Sequence, residues 1–229
     1  MDIGGLHKVS LIDYPGKIAA VIFCRGCNFR CPYCHNPELV DPKKFKPCLP
    51  EKEVYDFLRA RKGKLDAVVI SGGEPTVQAD LVSCMKKIRK LGFLVKLDTN
   101  GALPDVLEHI FKDKLIDYVA MDVKAPLDAY SEMAGVRVDQ RFIRRSIDLI
   151  LQSAIPHEFR TTAASSRLKD DDILSIAREI RGAQRYVLQR FQPARTLAPV
   201  WRSEKPATDG ELSEIAKRIG KTVRQVMIR

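Results

Sequence analysis

Nothing in the sequence approaches the roughly 18 consecutive apolar residues of a membrane span. The opening segment MDIGGLHKVSLIDYPGK lacks the basic, then apolar, then small-residue order of a secretory leader. Low-complexity tracts are absent, and no Gly-, Ser- or Pro-rich stretch marks a linker. These absences lead to the expectation of one domain over residues 1–229, placed in the cytoplasm and without a membrane partner. Thiols stay reduced in that compartment, so clustered cysteines there point to a metal or to catalysis before disulfides.

Also missing is any long run of one charge. The formal charge is +10, with 39 Lys and Arg against 29 Asp and Glu, but the basic residues are spread along the whole chain. They read first as solvated helix faces and second as an attraction for acidic partners or anionic groups. They are not interleaved with aromatics in a stacking pattern, so no nucleic-acid partner is expected. The C-terminal ELSEIAKRIGKTVRQV offers one helix and a β-branched tail, which is not a helix-turn-helix. No catalytic acid–base triad stands out.

What is present is the composition of a globular protein, 45% hydrophobic and 30% charged, long enough to bury one sizeable core. Strands are expected over 18–23, 66–71, 93–99, 117–123, 157–163 and 186–191, several of them near-continuous apolar runs of the kind found in parallel sheets covered on both faces. The segments between carry helical spacing, as in Leu81, Met85 and Ile88 or Ile143, Ile147 and Ile150. Thr208 and Glu211 have capping-box spacing before a last helix, which leads into the strand-like VMIR. Six strand–helix units fall short of the eight that take about 250 residues. The expected fold is therefore α/β, a partial, open (β/α)6 TIM-like barrel of parallel strands with a C-terminal helix–strand extension.

The stretch FCRGCNFRCPYCHNPEL, residues 23–39, follows the first of these strands and holds Cys24, Cys27, Cys31 and Cys34. Such loops, at the C-terminal ends of strands, carry the active sites of α/β folds. Structural zinc normally splits its ligands into two separated pairs, which makes zinc a minority reading here. The bacterial ferredoxin order C-x2-C-x2-C-x3-C-P is not matched. A cluster held by three cysteines would leave one position open to a small molecule.

CNFRCPYC (27–34) resembles the C-x3-C-x-aromatic-C signature of the radical SAM superfamily, with Tyr33 as the aromatic residue. SGGEP (71–75) resembles that superfamily's methionine-binding motif, and it too ends a strand. Gly72 and Gly73 allow close backbone approach, and Glu74 offers a carboxylate to an ammonium group. The longer stretch KVSLIDYPGKIAAVIFCRGCNFRCPYCHNPELV, together with SGGEPT, LDTNG, DYVAMDVKAP, FRTT and LQRFQP, resembles glycyl-radical-enzyme activases and in particular the anaerobic ribonucleoside-triphosphate reductase activating proteins.

The resemblance implies a 4Fe–4S cluster on Cys27, Cys31 and Cys34, and S-adenosylmethionine as the second cofactor. It implies reductive cleavage to methionine and a 5′-deoxyadenosyl radical, which takes a hydrogen from a glycine Cα of a large protein substrate. An external one-electron donor such as flavodoxin or ferredoxin is implied as well. Asp98, Asp122 and Lys124 are carried over as contacts to S-adenosylmethionine, with Asn100, Arg160 and Gln192 as further candidates. Arg160 reads equally as a ligand-carboxylate contact or as a barrel-edge salt bridge. Gln192 and Pro193 stand where some activases have a histidine near adenine. Relatives commonly lack a cysteine at position 24, so Cys24 is expected outside the triad. His35 is expected to shape the loop, Cys84 to lie in the core, and Trp201 to cover the core or meet a partner. A pyruvate formate-lyase-type activase and a small-molecule enzyme such as a 7-carboxy-7-deazaguanine synthase are the alternatives. A zinc or iron–sulfur nucleic-acid module leaves SGGEP and MDVK unexplained.

Overall fold

The computed structural model describes residues 1–164 and 167–229. Strands and helices alternate in the order β1 (Ile3–Ser10), β2 (Ala19–Cys24), α1 (Pro37–Val40), α2 (Glu51–Ala60), β3 (Ala67–Gly72), α3 (Leu81–Lys90), β4 (Leu94–Thr99), α4 (Pro104–Lys112) and β5 (Tyr118–Asp122). After these come α5 (Tyr130–Ala134), α6 (Gln140–Gln152), β6 (His157–Ala163), α7 (Asp170–Glu179), β7 (Tyr186–Arg190), α8 (Asp209–Ile219) and β8 (Val226–Ile228).

Strand order follows chain order from β1 to β8. The β2–β3, β3–β4, β6–β7 and β7–β8 pairs are parallel. Strands β2, β3 and β5 are buried along most of their length, which is why they read as apolar runs. All six expected strands form, with ends moved by a residue or so. The expected extension is present as α8, whose Thr208–Glu211 capping box closes in both directions, followed by β8. The sheet also holds a strand that was not expected. β1 runs antiparallel to β2 with register shifts and is half exposed, so IGGLHKVS shows no apolar run.

Helices pack one face inward, as α3 does with Leu81, Cys84, Met85 and Ile88, and α6 with Ile143, Ile147 and Ile150. Each such aliphatic side chain contributes about 1.5–3 kcal/mol when fully buried. No helix among the described residues is long and apolar enough to cross a membrane.

The chain forms two compact units interleaved in sequence. The first holds Met1–Asn28, Glu38–Thr99 and Asp105–Val119; the second holds Phe29–Pro37, Asn100–Pro104 and Ala120–Arg229. A core of Tyr14, Ala19, Val21, Ala67, Val69 and Tyr118 lies in the first. Ile143, Ile147, Phe159, Tyr186 and Leu188 are fully buried in the second.

Candidate active site

In the first unit the SGGEP turn leaves β3 and packs on the backbone that leads from β2 toward Cys27. Gly73 N–H donates to the Cys24 carbonyl and Glu74 N–H to the Gly26 carbonyl, both at 2.8 Å. Gly72 has φ +111°, and a Cβ on it would stand 2.5 Å from the Cys24 nitrogen. A Cβ on Gly73 would stand 1.9 Å from the Gly26 carbonyl oxygen. Glycine is thus required here by the fit of turn against loop, whatever approach to a ligand it also allows.

Glu74 is 1% exposed. Its Oε1 accepts from Thr76 N–H at 3.0 Å, Thr76 Oγ1 at 2.5 Å and Thr99 Oγ1 at 2.8 Å. The side chain caps the short 3-10 helix Pro75–Val77 and is held firmly. Asp98 is also buried: Oδ1 lies 3.1 Å from Lys96 Nζ, and Oδ2 accepts from Ser71 Oγ at 2.9 Å. Lys96 and Ser71 were not singled out in the sequence, although a lysine within LVKLDT is itself a signal.

Cys27 is half-buried, with its thiol 3.9 Å from Asn28 Oδ1. Cys24 is buried. Burial pushes its thiol upward, reinforced by the neighbouring Cys84 and Glu74. Cys84 itself is buried on α3, as expected of a core residue, and burial pushes it up to about 11.

In the second unit Cys34 N–H donates to the Cys31 carbonyl at 3.0 Å, which folds the loop into a turn. Backbone bonds fasten it from two sides, Arg30 N–H to the Ala134 carbonyl (2.8 Å) and Ala198 N–H to the Pro32 carbonyl (2.9 Å). Tyr33 is buried against Trp201, ring centroids 5.2 Å apart, and Lys124 Nζ lies 5.9 Å from the Tyr33 ring. Trp201 meets Phe191 edge-on at 5.7 Å, and Phe191 stacks on His35 at 5.8 Å. Gln192 N–H donates to His35 Nε2 at 3.3 Å, so His35 does shape this loop. The Gln192 residue as a whole is exposed.

Asp122 ends β5 between two cations. Its Oδ1 accepts from Arg160 Nε at 2.8 Å, and its Oδ2 lies 3.4 Å from Lys124 Nζ. The carboxylate that Arg160 reaches here is therefore Asp122, through Nε. Tyr130 OH donates to the Asp122 carbonyl at 3.2 Å and fixes the strand end, a role that sequence reasoning missed. Asn100 Oδ1 accepts from Ala102 N–H at 3.0 Å in an Asx-turn.

Burial alone would lower Lys124, but Tyr33, Cys31, Asp122 and Tyr130 reverse this and hold its ammonium well above the usual value. Burial pushes the Cys31 thiol up, and the charge of Lys124 opposes that shift. The second unit thus gathers Asp122, Lys124 and Arg160 with Cys31 and Tyr33. The first gathers Glu74 and Asp98 beside the strand ends at Ser71 and Thr99.

Among the described residues no three His, Cys, Asp or Glu side chains are already gathered as a metal cage. None of the six cysteines is in a disulfide. Soft thiolates are the donors that iron–sulfur clusters take, and Cys27, Cys31 and Cys34 supply three within eight residues of one stretch of chain. The donor set fits such a cluster.

The profile of the radical SAM superfamily matches residues 21–181. A Methanocaldococcus jannaschii protein, provisionally named a glycyl-radical enzyme activating enzyme, is 38% identical over 99% of this chain and 95% of its own length. The pyruvate formate-lyase-activating enzyme of Clostridium pasteurianum is 29% identical over 82% of each chain. Among solved structures, Streptococcus suis SuiB bound to S-adenosylmethionine superposes with a TM-score of 0.71 at 16% identity, covering 91% of this chain and 49% of SuiB, a likeness of fold. The chain belongs to the radical SAM superfamily, whose members use a 4Fe–4S cluster and S-adenosylmethionine, and within it to the glycyl-radical-enzyme activating enzymes.

Proposed function

We propose that the chain installs the glycyl radical of anaerobic ribonucleoside-triphosphate reductase, working in the cytoplasm with flavodoxin or ferredoxin as electron donor. The observation that carries the activase reading is the match over 99% of the chain to a glycyl-radical enzyme activating enzyme. The choice of reductase rests on the N-terminal stretch KVSLIDYPG and its continuation through the cysteine loop.

Cys27, Cys31 and Cys34 would hold the cluster. The bound cofactors would supply one-electron cleavage of S-adenosylmethionine and a radical able to take a glycine hydrogen. The chain's own residues would bind and orient. Lys124 presents a buried positive charge suited to a ligand carboxylate, and Arg160 holds Asp122 beside it. Asp98, Glu74, Gly72 and Gly73 are carried as further candidate contacts to S-adenosylmethionine, as are Asn100 and Gln192. Tyr33, packed on Trp201, would shield the adjoining Cys34 side of the loop from water.

An activase of pyruvate formate-lyase is the second reading, favoured by the similarity to the Clostridium enzyme. The test begins with anaerobic reconstitution with iron and sulfide, reduction, addition of S-adenosylmethionine and assay of 5′-deoxyadenosine. Product is expected, and its absence overturns the proposal. Addition of the reductase should then yield a glycyl radical by EPR. A radical that forms only on pyruvate formate-lyase replaces the first reading with the second.

A further inference from the structure

Lysine is among the residues least often fully buried, and an ammonium group taken out of water needs compensating partners. Lys96 is 1% exposed, in the middle of β4. Its Nζ donates to the Asp13 carbonyl at 2.6 Å, lies 3.1 Å from Asp98 Oδ1, and sits 5.6 Å from the Tyr118 ring. Lys96 and Asp98 are two residues apart on one strand and so face the same side. If this position needed only packing, an apolar side chain of similar size would serve as well or better.

The partner carbonyl is itself built. Ser10 is buried, and its Oγ accepts from the N–H groups of Ile12 (3.2 Å) and Asp13 (3.1 Å) while donating to Asp13 Oδ2 (2.5 Å). That closed turn holds the Asp13 carbonyl on the ammonium. On the other side, Asp98 Oδ2 accepts from Ser71, the residue before Gly72. One polar chain therefore runs from the N-terminal turn through Lys96 and Asp98 to the SGGEP segment, entirely within the first unit.

We infer that Lys96 is a positioning residue, which fixes Asp98 against the Ser10–Asp13 turn so that its carboxylate meets S-adenosylmethionine in one orientation. This rests on the reading of Asp98 as a contact to that cofactor. Lys96 acts through Asp98, since its hydrogen bond to the Asp13 carbonyl and its ion pair with Asp98 are both to protein.

The test compares Lys96→Met, Asp98→Asn and the double variant, each reconstituted with its cluster, and follows hydrogen exchange in the three chains without cofactors. Lys96→Met is expected to raise KM for S-adenosylmethionine about tenfold, the range for losing a hydrogen bond to a charged group, with kcat and iron content little changed. The double variant should be no worse than the poorer single one. Without cofactors, Lys96→Met should increase exchange in residues 10–16, and Asp98→Asn should not. If Asp98→Asn raises KM while Lys96→Met does not, or if the two effects multiply, the inference falls and the reading of Asp98 stands. If Asp98→Asn leaves KM unchanged, the reading of Asp98 falls and the inference with it. Should Lys96→Met fail to fold, Ser10→Ala loosens the same turn from its far end. A raised KM there supports the inference, and an unchanged one overturns it.

Discussion

Gly73 and Gly26 touch backbone to backbone: a Cβ on Gly73 would stand 1.9 Å from the Gly26 carbonyl oxygen, and a peptide oxygen cannot swing aside as a side chain can. The turn expected to bind a ligand is thereby also the floor under the loop that bears Cys27. Gly73→Ala should cost about 1–3 kcal/mol even without cofactors, lowering Tm by roughly 2–4 °C for each kcal/mol lost. Thermal denaturation of the cofactor-free chain checks this. An unchanged Tm would show that the contact is not tight in solution.

The thiols should separate in their iron chemistry. Cys24 lies in the core beside Cys84 and outside the C-x3-C-x2-C spacing of Cys27, Cys31 and Cys34. Cys24→Ala is expected to keep full iron content after reconstitution, while Cys31→Ala loses the cluster. Iron-to-protein ratios and the cluster's visible absorption decide the matter, and equal loss in both variants would refute the separation.

Arg160 and Lys124 share Asp122, so removing one cation should free the carboxylate to turn. The Asp122 side chain is 33% exposed, and water screens the pair, so Arg160→Met should lower stability by only about 1 kcal/mol. Its larger effect should be a several-fold rise in KM for S-adenosylmethionine. Urea denaturation alongside steady-state kinetics separates the two effects.

His157 should impose a pH dependence on folding. Its Nε2 accepts from Gln184 N–H at 3.2 Å and its Nδ1 lies 3.0 Å from the Ile155 carbonyl, an arrangement that suits the neutral ring protonated on Nδ1. Burial lowers its pKa below the ordinary 6.5, and nearby Arg224 adds to the effect. Below that ordinary value the unfolded chain takes up a proton that the folded chain refuses. Its contribution to stability is therefore level above about pH 6.5 and falls as the pH drops toward the folded value. Urea denaturation from pH 7.5 to 5 should show this slope, and His157→Gln should flatten it.

Much of this arrangement was legible because strands covered on both faces must be apolar, so any charge within them stands out. That contrast marked Asp98 in LVKLDT and Asp122 and Lys124 around YVAMD. β1 escaped notice because a half-exposed antiparallel strand carrying two glycines imposes no such pattern. Partners were harder to read than positions. Lys96 finds its carbonyl 83 residues away and Arg160 its carboxylate 38 residues away, and nothing local encodes either choice. Tyr130 was missed for a related reason, since its hydroxyl serves a backbone carbonyl eight residues earlier and leaves no side-chain signature.

Trp201 is the sole tryptophan of the chain, and its indole sits 5.2 Å from the ring that precedes Cys34. Iron–sulfur clusters absorb across the wavelengths at which indole emits. The protein therefore carries a built-in optical gauge: its fluorescence should dim as the loop fills and brighten as the metal leaves, so loading can be watched continuously under anaerobic conditions without an added label.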